Sequence, residues 1–255
     1  MNENLKSNDW DFIWQNLNEG MARNPGRDYR FKQILALIPR GTELRVLDFG
    51  CGTGNLIYLL KEEFPLNKYY GSDTSTEALR ITKSKIPLIE TIHIKLDDNL
   101  PSMQMPEEYF DLVICSEVLE HIDNDVETVS FIYKFVKPGG KLICTVPAGP
   151  ISVFDRFIGH RRHYSQASLK FTLEMGGFRN VTIRRSGFPA INLVRIFAII
   201  SRKRLARQLQ NNNYGETGVS GKLVKILRFV FRFALEDSVL GWQLISTSLK
   251  PKAEK

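Results

Sequence analysis

The chain has 255 residues, 43% hydrophobic and 25% charged, a balance that excludes a disordered or fibrous protein and suits one domain with an appendage. Lys and Arg outnumber Asp and Glu by 35 to 28, but nine of the basic residues and only two acids fall between Pro189 and Glu236, so that segment carries the whole excess. Cys51, Cys115 and Cys144 are far apart in or beside apolar runs, which argues against a disulfide framework or a zinc motif and for a reducing, cytoplasmic compartment. Residues 1–11 contain no apolar signal segment, and no apolar run is long enough to span a bilayer.

Residues 9–20 read as a short helix with Trp10, Ile13, Trp14 and Leu17 on one face, broken at Asn24-Pro25-Gly26. A second helix is expected over 27–38, ended by Pro39 and Gly41. The period then changes. A strand over 44–49 leads into the tight turn Gly50-Cys51-Gly52-Thr53-Gly54 and a helix over 55–64. Strands follow at 68–72, closed by Asp73, at 91–96, closed by Asp97, and at 110–115, with a helix over 75–83 between the first two. A helix over 123–136, capped by Asp123-Asn124-Asp125, leads through a turn at Pro138-Gly139-Gly140 to a strand at 141–146. A helix over 165–175 with Ser165 as its cap and a strand at 180–185 complete the alternation, which predicts an α/β fold with a mostly parallel, doubly wound sheet.

After Phe188 the alternation stops. Helical stretches at 190–209 and 219–235, joined by a polar linker, precede a last strand at 242–249. On a helical wheel Lys222, Lys225, Arg228 and Arg232 share one face, opposite Leu223, Ile226, Leu227, Val230 and Phe231. The expected organisation is a helical cap (1–40), a core (41–188 and 241–250) and a basic amphipathic insert (189–240).

A strand, a glycine-rich turn and a helix make a ligand site, because the backbone can approach closely and the helix start offers free N–H groups. Gly50, Gly52 and Gly54 are spaced by two, unlike the Gly-x-Gly-x-x-Gly of dinucleotide sites. Asp73, closing the second strand, is placed to accept from both hydroxyls of a ribose. Asp48, closing the first, suits a cationic ligand group better than a pyrophosphate.

The stretches Val46-Leu-Asp-Phe-Gly-Cys-Gly-Thr-Gly54, Gly71-Ser-Asp73, Phe110-Asp-Leu-Val-Ile-Cys-Ser-Glu-Val-Leu-Glu-His121 and Val136-Lys-Pro-Gly-Gly-Lys-Leu142 occur in an order and spacing that resemble the class I S-adenosylmethionine-dependent methyltransferases. The resemblance implies a Rossmann-like seven-stranded sheet with an antiparallel last strand, and S-adenosylmethionine as cofactor. Its methionine part would lie on the glycine turn (Gly50, Cys51, Gly52, Gly54) near Asp48, its ribose at Asp73 and Thr74, and its adenine amine at Asp97 or Asp98. Ser116 and Glu117, at the end of the fourth strand, complete the expected cofactor site. Asn24-Pro25-Gly26-Arg27 resembles a stretch of the ubiquinone-biosynthesis O-methyltransferases, which implies that Arg27 pairs with the cofactor carboxylate.

Methyl transfer from a sulfonium is an in-line displacement, so alignment and exclusion of water dominate, and a hydroxyl acceptor gains from a general base. His160, in the loop Phe154-Asp-Arg-Phe-Ile-Gly-His-Arg-Arg-His-Tyr-Ser165, is the first candidate for a base or acceptor-orienting group, His163 the second, and His121 a third. The same loop could instead clamp an anionic substrate. The loop and the late insert resemble bacterial methyltransferases encoded among surface-polysaccharide genes. No Asn-Pro-Pro-Tyr follows the fourth strand, which disfavours the family's adenine and amide N-methyltransferases, and no cluster has metal-ligand spacing along the chain, so no metal is expected.

The expected activity is methyl transfer to an oxygen of a small-molecule, lipid or glycan acceptor. The alternatives are an RNA or protein methyltransferase and a non-catalytic protein that binds S-adenosylmethionine. The insert could rest on anionic membrane, cover the acceptor as a lid, or form a dimer contact. A localised basic stripe without a recognition module is weak grounds for nucleic acid.

Overall fold

Val46 and Leu47 are both buried, yet they belong to different apolar clusters, as a strand covered on both faces requires. The computed structural model describes residues 10, 11, 14, 15, 25–97, 100–102, 104–152, 155, 156, 158–200 and 229–252. In chain order the elements are α1 (Pro25–Leu35), β1 (Arg45–Phe49), α2 (Asn55–Glu63), β2 (Lys68–Asp73), α3 (Thr76–Lys85), β3 (Glu90–His93), β4 (Lys95–Asp97), β5 (Leu100–Ser102), β6 (Phe110–Ser116), α4 (Asp125–Phe135), β7 (Val136–Pro147), α5 (Gln166–Met175), β8 (Arg179–Ser186), α6 (Ala190–Ile200) and β9 (Gln243–Leu249). The main sheet has seven strands in the order β3-β2-β1-β6-β7-β9-β8. β3, β2, β1, β6 and β7 run parallel, and β9 is antiparallel to both β7 and β8.

Alternation sorts the strands' side chains. Val46, Leu112, Ile114 and Ile143 meet Ile34 of α1 and Ile57 and Leu60 of α2 on one face. Leu47, Val113, Cys115 and Cys144 meet Ile132 of α4 and Leu169 and Leu173 of α5 on the other. Each such fully buried side chain contributes roughly 1.5–3 kcal/mol. All three cysteines are buried and free. Among the described residues no helix is long and apolar enough to cross a membrane.

The elements depart from the sequence expectation at points with physical causes. The second helix starts at Pro25, two residues earlier than expected: proline's fixed φ and missing N–H suit the first helical position. The strand expected over 91–96 is divided. Its chain leaves the sheet at Ile94, which donates its N–H to Asp73 O (2.9 Å) and buries its side chain. β4 then pairs with β5 in a separate two-stranded sheet. β7 starts earlier than expected, at Val136, and the pairing jumps from Phe110↔Val136 to Leu112↔Lys141. Pro138-Gly139-Gly140 is therefore a bulge within a strand, held by Gly139 N–H to Lys250 O at 2.8 Å. The stretch 201–228, with the whole polar linker and Lys222, Lys225 and Arg228, lies outside the described residues.

Ser165 caps α5 as expected, accepting from Ser168 N–H. Asp125 does more than start α4. Its Oδ1 accepts from Val126 N–H, while its Oδ2 accepts from the hydroxyls of Tyr164 (2.7 Å) and Thr172 (3.2 Å) and meets Arg162 at 3.1 Å. This junction ties the loop after β7 to α4. Asp125→Ala leaves the buried Tyr164 OH with only its longer bond to Leu119 O (3.2 Å), removes a partner of Thr172 and of Arg162, and should cost about 2–4 kcal/mol in urea denaturation. A wild-type midpoint for the variant would show the junction to be idle.

Candidate active site

The carboxyl ends of β1, β2, β6 and β7 open on one side of the sheet, where the strand order reverses between β1 and β6, the usual place for a ligand in an open α/β sheet. Gly50 and Gly54 bend the chain from β1 into α2 with φ of 76° and 70°, values that side chains other than glycine's rarely adopt. Gly50 is also required sterically: a Cβ there would lie 2.4 Å from Val118 Cγ2. Gly50 and Cys51 both donate to Ser72 O, at 2.7 and 2.9 Å, and so lock the turn to β2. Lys85 holds its far side through Thr53 O (2.6 Å) and Asn55 Oδ1 (2.8 Å).

The turn brings two acids together out of water. Asp73 is buried, and it accepts from Gly52 N–H (2.8 Å) and Ser75 N–H (2.9 Å). Burial still raises its pKa. Asp48 is 3% exposed, and burial, reinforced by the charge of Asp73, pushes its pKa up to about 7. Beside them opens a cavity of about 320 Å³ lined by Phe49, Gly50, Asp73, Thr74, Glu117 and His121 among others, within the size range of ligand pockets. Trp10, Asp11 and Trp14 also line it. Asp11 accepts from Ser75 Oγ and from Glu77 N–H at 3.1 Å, fastening this roof to the start of α3. Trp14 lies so close to Gly52 that a Cβ there would approach its ring to 2.8 Å.

The opposite wall carries the histidines. His121 borders the cavity, in edge contact with Trp10 and with His160, at centroid distances of 4.8 and 4.7 Å. His160 lies behind it, 9% exposed. The ring tautomers follow from the bonds made. His163 Nδ1–H donates to Gly149 O (2.9 Å), so its Nε2 accepts from Arg195 (3.1 Å) and from His160 Nδ1–H (3.1 Å). The unprotonated nitrogen of His160 is then Nε2. Asp155 anchors Arg195 at 3.0 Å. Burial, with His121 alongside, lowers the His160 pKa to about 3, and burial lowers that of His121 to about 4.

Glu117 sits at φ 57°, a strained conformation for a side-chain-bearing residue. Burial alone would raise its pKa, but Arg30 (3.5 Å) and the Gln243 amide (2.9 Å) hold it below the usual carboxylate range. Ser116 accepts from Arg30 Nε at 3.3 Å. Arg27 pairs with Asp28 at 3.1 Å, and its charge adds to the burial that lowers the Lys85 pKa, which places it near the glycine turn. Asp97 closes β4, and Asp98 lies outside the described residues. Arg30, Glu120, Asp155, Arg195 and the tryptophan roof were not singled out by sequence. Only the apolar face of Trp10 and Trp14 was a visible signal, and it reads equally as core packing.

A family described as a methyltransferase domain matches residues 21–214. The chain belongs to this methyltransferase family. A demethylmenaquinone methyltransferase of Symbiobacterium thermophilum is 32% identical over 116 residues, 44% of this methyltransferase chain and 46% of that protein. A trans-aconitate 2-methyltransferase of Azoarcus sp. is 28% identical over 116 residues, 46% of this chain and 44% of the relative. The chain thus spans less than half the length of these two relatives. Phosphoethanolamine N-methyltransferase 2 of Haemonchus contortus, solved with S-adenosyl-L-methionine, has a TM-score of 0.54 and 18% identity over 95% of this chain and 56% of that one. The [4+2]-cyclase SpnF has a TM-score of 0.60 and 18% identity over 96% and 94%. These likenesses establish the shared fold.

S-adenosylmethionine is the cofactor that goes with this methyltransferase family, and the site suits it. One buried carboxylate, Asp73, lines the cavity beside the glycine turn, and it is the electrostatic neighbour that, after burial, raises the pKa of the second, Asp48. A ligand bearing a sulfonium and an ammonium relieves that conflict.

The pH dependence follows from Asp48. Folded, its carboxyl keeps a proton up to about pH 7, against about 4 for an unfolded Asp. The folded state binds more protons across that window, so the ligand-free protein loses stability as pH rises through it. Asp48→Asn removes the loss. The variant's stability relative to wild type should rise by about 1–3 kcal/mol between pH 5 and pH 8, read by urea denaturation. A gap that stays constant with pH would contradict the assignment.

Proposed function

We propose that the chain transfers the methyl group of S-adenosylmethionine to an oxygen of a small-molecule, lipid or glycan acceptor. The observation that carries this reading is that Asp73 and His121 line one cavity, Asp73 with Asp48 buried close by and His121 with His160 behind it, so that the donor's cationic end is drawn to one side and a polar acceptor to the other. Bound S-adenosylmethionine supplies an electrophilic methyl on a sulfonium. Asp48 balances its positive charge, Asp73 accepts from the ribose hydroxyls, and Arg27, with Arg30 close by, takes the carboxylate. Asp97 or Asp98 meets the adenine amine. Trp10, Trp14 and Phe49 exclude water. With protonation of His121 and His160 suppressed by burial, the cluster of His121, His160 and His163 orients the acceptor oxygen and does not store its proton. Relatives named for trans-aconitate and demethylmenaquinone support a small acceptor. The basic insert serves as acceptor lid or anionic-membrane contact.

Accumulation of S-adenosylhomocysteine separates the readings. With panels of small acids and phenols, glycans, lipids, RNA and protein, product should form with one of the first three classes. Asp73→Ala should weaken S-adenosylhomocysteine binding by about 1.5–3 kcal/mol in calorimetry. Product with RNA or protein alone would make one of these the acceptor. Tight binding without turnover on any class would make the chain a non-catalytic binder.

A further inference from the structure

Glu120 is fully buried, and neither oxygen of its carboxyl has a hydrogen-bond partner among the described residues. Such a group is costly to keep unless something else takes its place as partner. His121 Nδ1 is likewise buried without a partner. The two residues are adjacent in the short helical turn Leu119–His121, and the Glu120 backbone is pinned to the loop after β7 by Arg161 N–H to Glu120 O at 2.8 Å. His160, on that loop, closes the group: one ligand atom from each of Glu120, His121 and His160 lies within 4.8 Å of the other two.

We propose that Glu120, His121 and His160 form a site for one divalent first-row transition-metal ion at the acceptor side of the cleft. Two imidazoles and one carboxylate suit zinc, iron(II), manganese or cobalt. Ligand atoms about 2.0–2.2 Å from a metal stand roughly 3.4 Å apart, so side-chain adjustments of about 1 Å complete the site. The surroundings of His160 match what metal-binding histidines have: its Nδ1–H is taken by His163, whose own orientation is set by Gly149 O and Arg195. That bond leaves Nε2 for the ion. A second grouping, Asp155, His160 and His163, is also close-set, but the Arg195 guanidinium sits 3.0 Å from Asp155 and 3.1 Å from His163, so a cation already fills it. Glu120, His121 and His160 have no such occupant among the described residues. Of the three, His121 lines the cavity, so an ion here would stand beside the acceptor space.

The use of the ion rests on the oxygen-methylation reading. An acceptor hydroxyl bound to it loses its proton to cleft water more easily. The oxygen lone pair then forms the new carbon–oxygen bond while the methyl–sulfur bond breaks and sulfur keeps that electron pair.

The test uses the full chain, dialysed against a chelator and titrated with Co²⁺ alone. Visible d–d absorption should saturate at one equivalent. Glu120→Gln and His160→Ala should each weaken Co²⁺ binding more than 100-fold, and His163→Ala, a positioning change, about 10–100-fold. Glu63→Gln, at the exposed end of α2, should leave it unchanged. Retained S-adenosylhomocysteine binding shows that a variant is folded. If the variants do not fold, the Co²⁺-loaded wild type still decides, through hyperfine-shifted imidazole resonances from two histidines. No saturable absorption, or a spectrum unchanged in the two ligand variants, would overturn the site. Methyl transfer at full rate by metal-free protein would overturn the ion's role and leave the oxygen-methylation reading intact. A metal-binding protein that methylates no oxygen acceptor would keep the site and defeat that reading.

Discussion

Two carboxylates held out of water side by side are the constraint around which the site is arranged. Asp48 and Asp73 stand at the ends of adjacent parallel strands, joined in register through Asp48↔Gly71 and Phe49↔Ser72. The glycine turn carries the chain away from β1 at a positive φ, and a Cβ at Gly50 would meet Val118. Strand order, turn and acid pair thus form one device. The sheet puts the acids together, the turn keeps the space above them open, and burial makes their charge unfavourable until a cation arrives.

The second half of the site is a loop that depends on distant partners. The segment carrying His160 and His163 has little regular structure of its own. It is held by Tyr164 and Arg162 to Asp125 on α4, by Arg161 to the backbone of the Leu119–His121 turn, and by Asp155 and His163 to Arg195 on α6. Residues from three other parts of the chain therefore decide where two imidazoles point. Arg195 is one of the nine basic residues of the late segment, and it is spent on this internal contact and not on a surface stripe.

What could be read from the chain and what could not divides along the same line. The glycine turn, Asp48, Asp73 and the alternation of strands and helices were legible, because each follows from a local requirement: a positive φ, a period, a strand end; the antiparallel course of the last strand came only from the family resemblance. Ser165 was legible as a cap for the same reason. Glu120 was not, because Leu-Glu-His has the composition of an exposed turn and its complete burial comes from tertiary packing. The choice between Arg27 and Arg30 turns on which residues of α1 face the end of β6, and a four-residue resemblance does not contain that. The absence of metal-ligand spacing along the chain said nothing about Glu120, His121 and His160, which tertiary structure brings together across about 40 positions. Ile94 shows the converse: an apolar run that reads as one strand is divided because a single side chain turns into the core.

The central claim is that the buried acid pair waits for a cationic ligand, and proton counting tests it most directly. Near pH 6 most Asp48 carboxyls of the ligand-free protein should be protonated, given a pKa of about 7, and binding a cation beside them should drive that proton off. Titration calorimetry of S-adenosylmethionine at pH 6, repeated in buffers of different ionisation enthalpy, counts the protons exchanged. The account predicts release of a large fraction of one proton in wild type and close to none in Asp48→Asn. Wild-type binding with no proton release, or release unchanged in the variant, would contradict it.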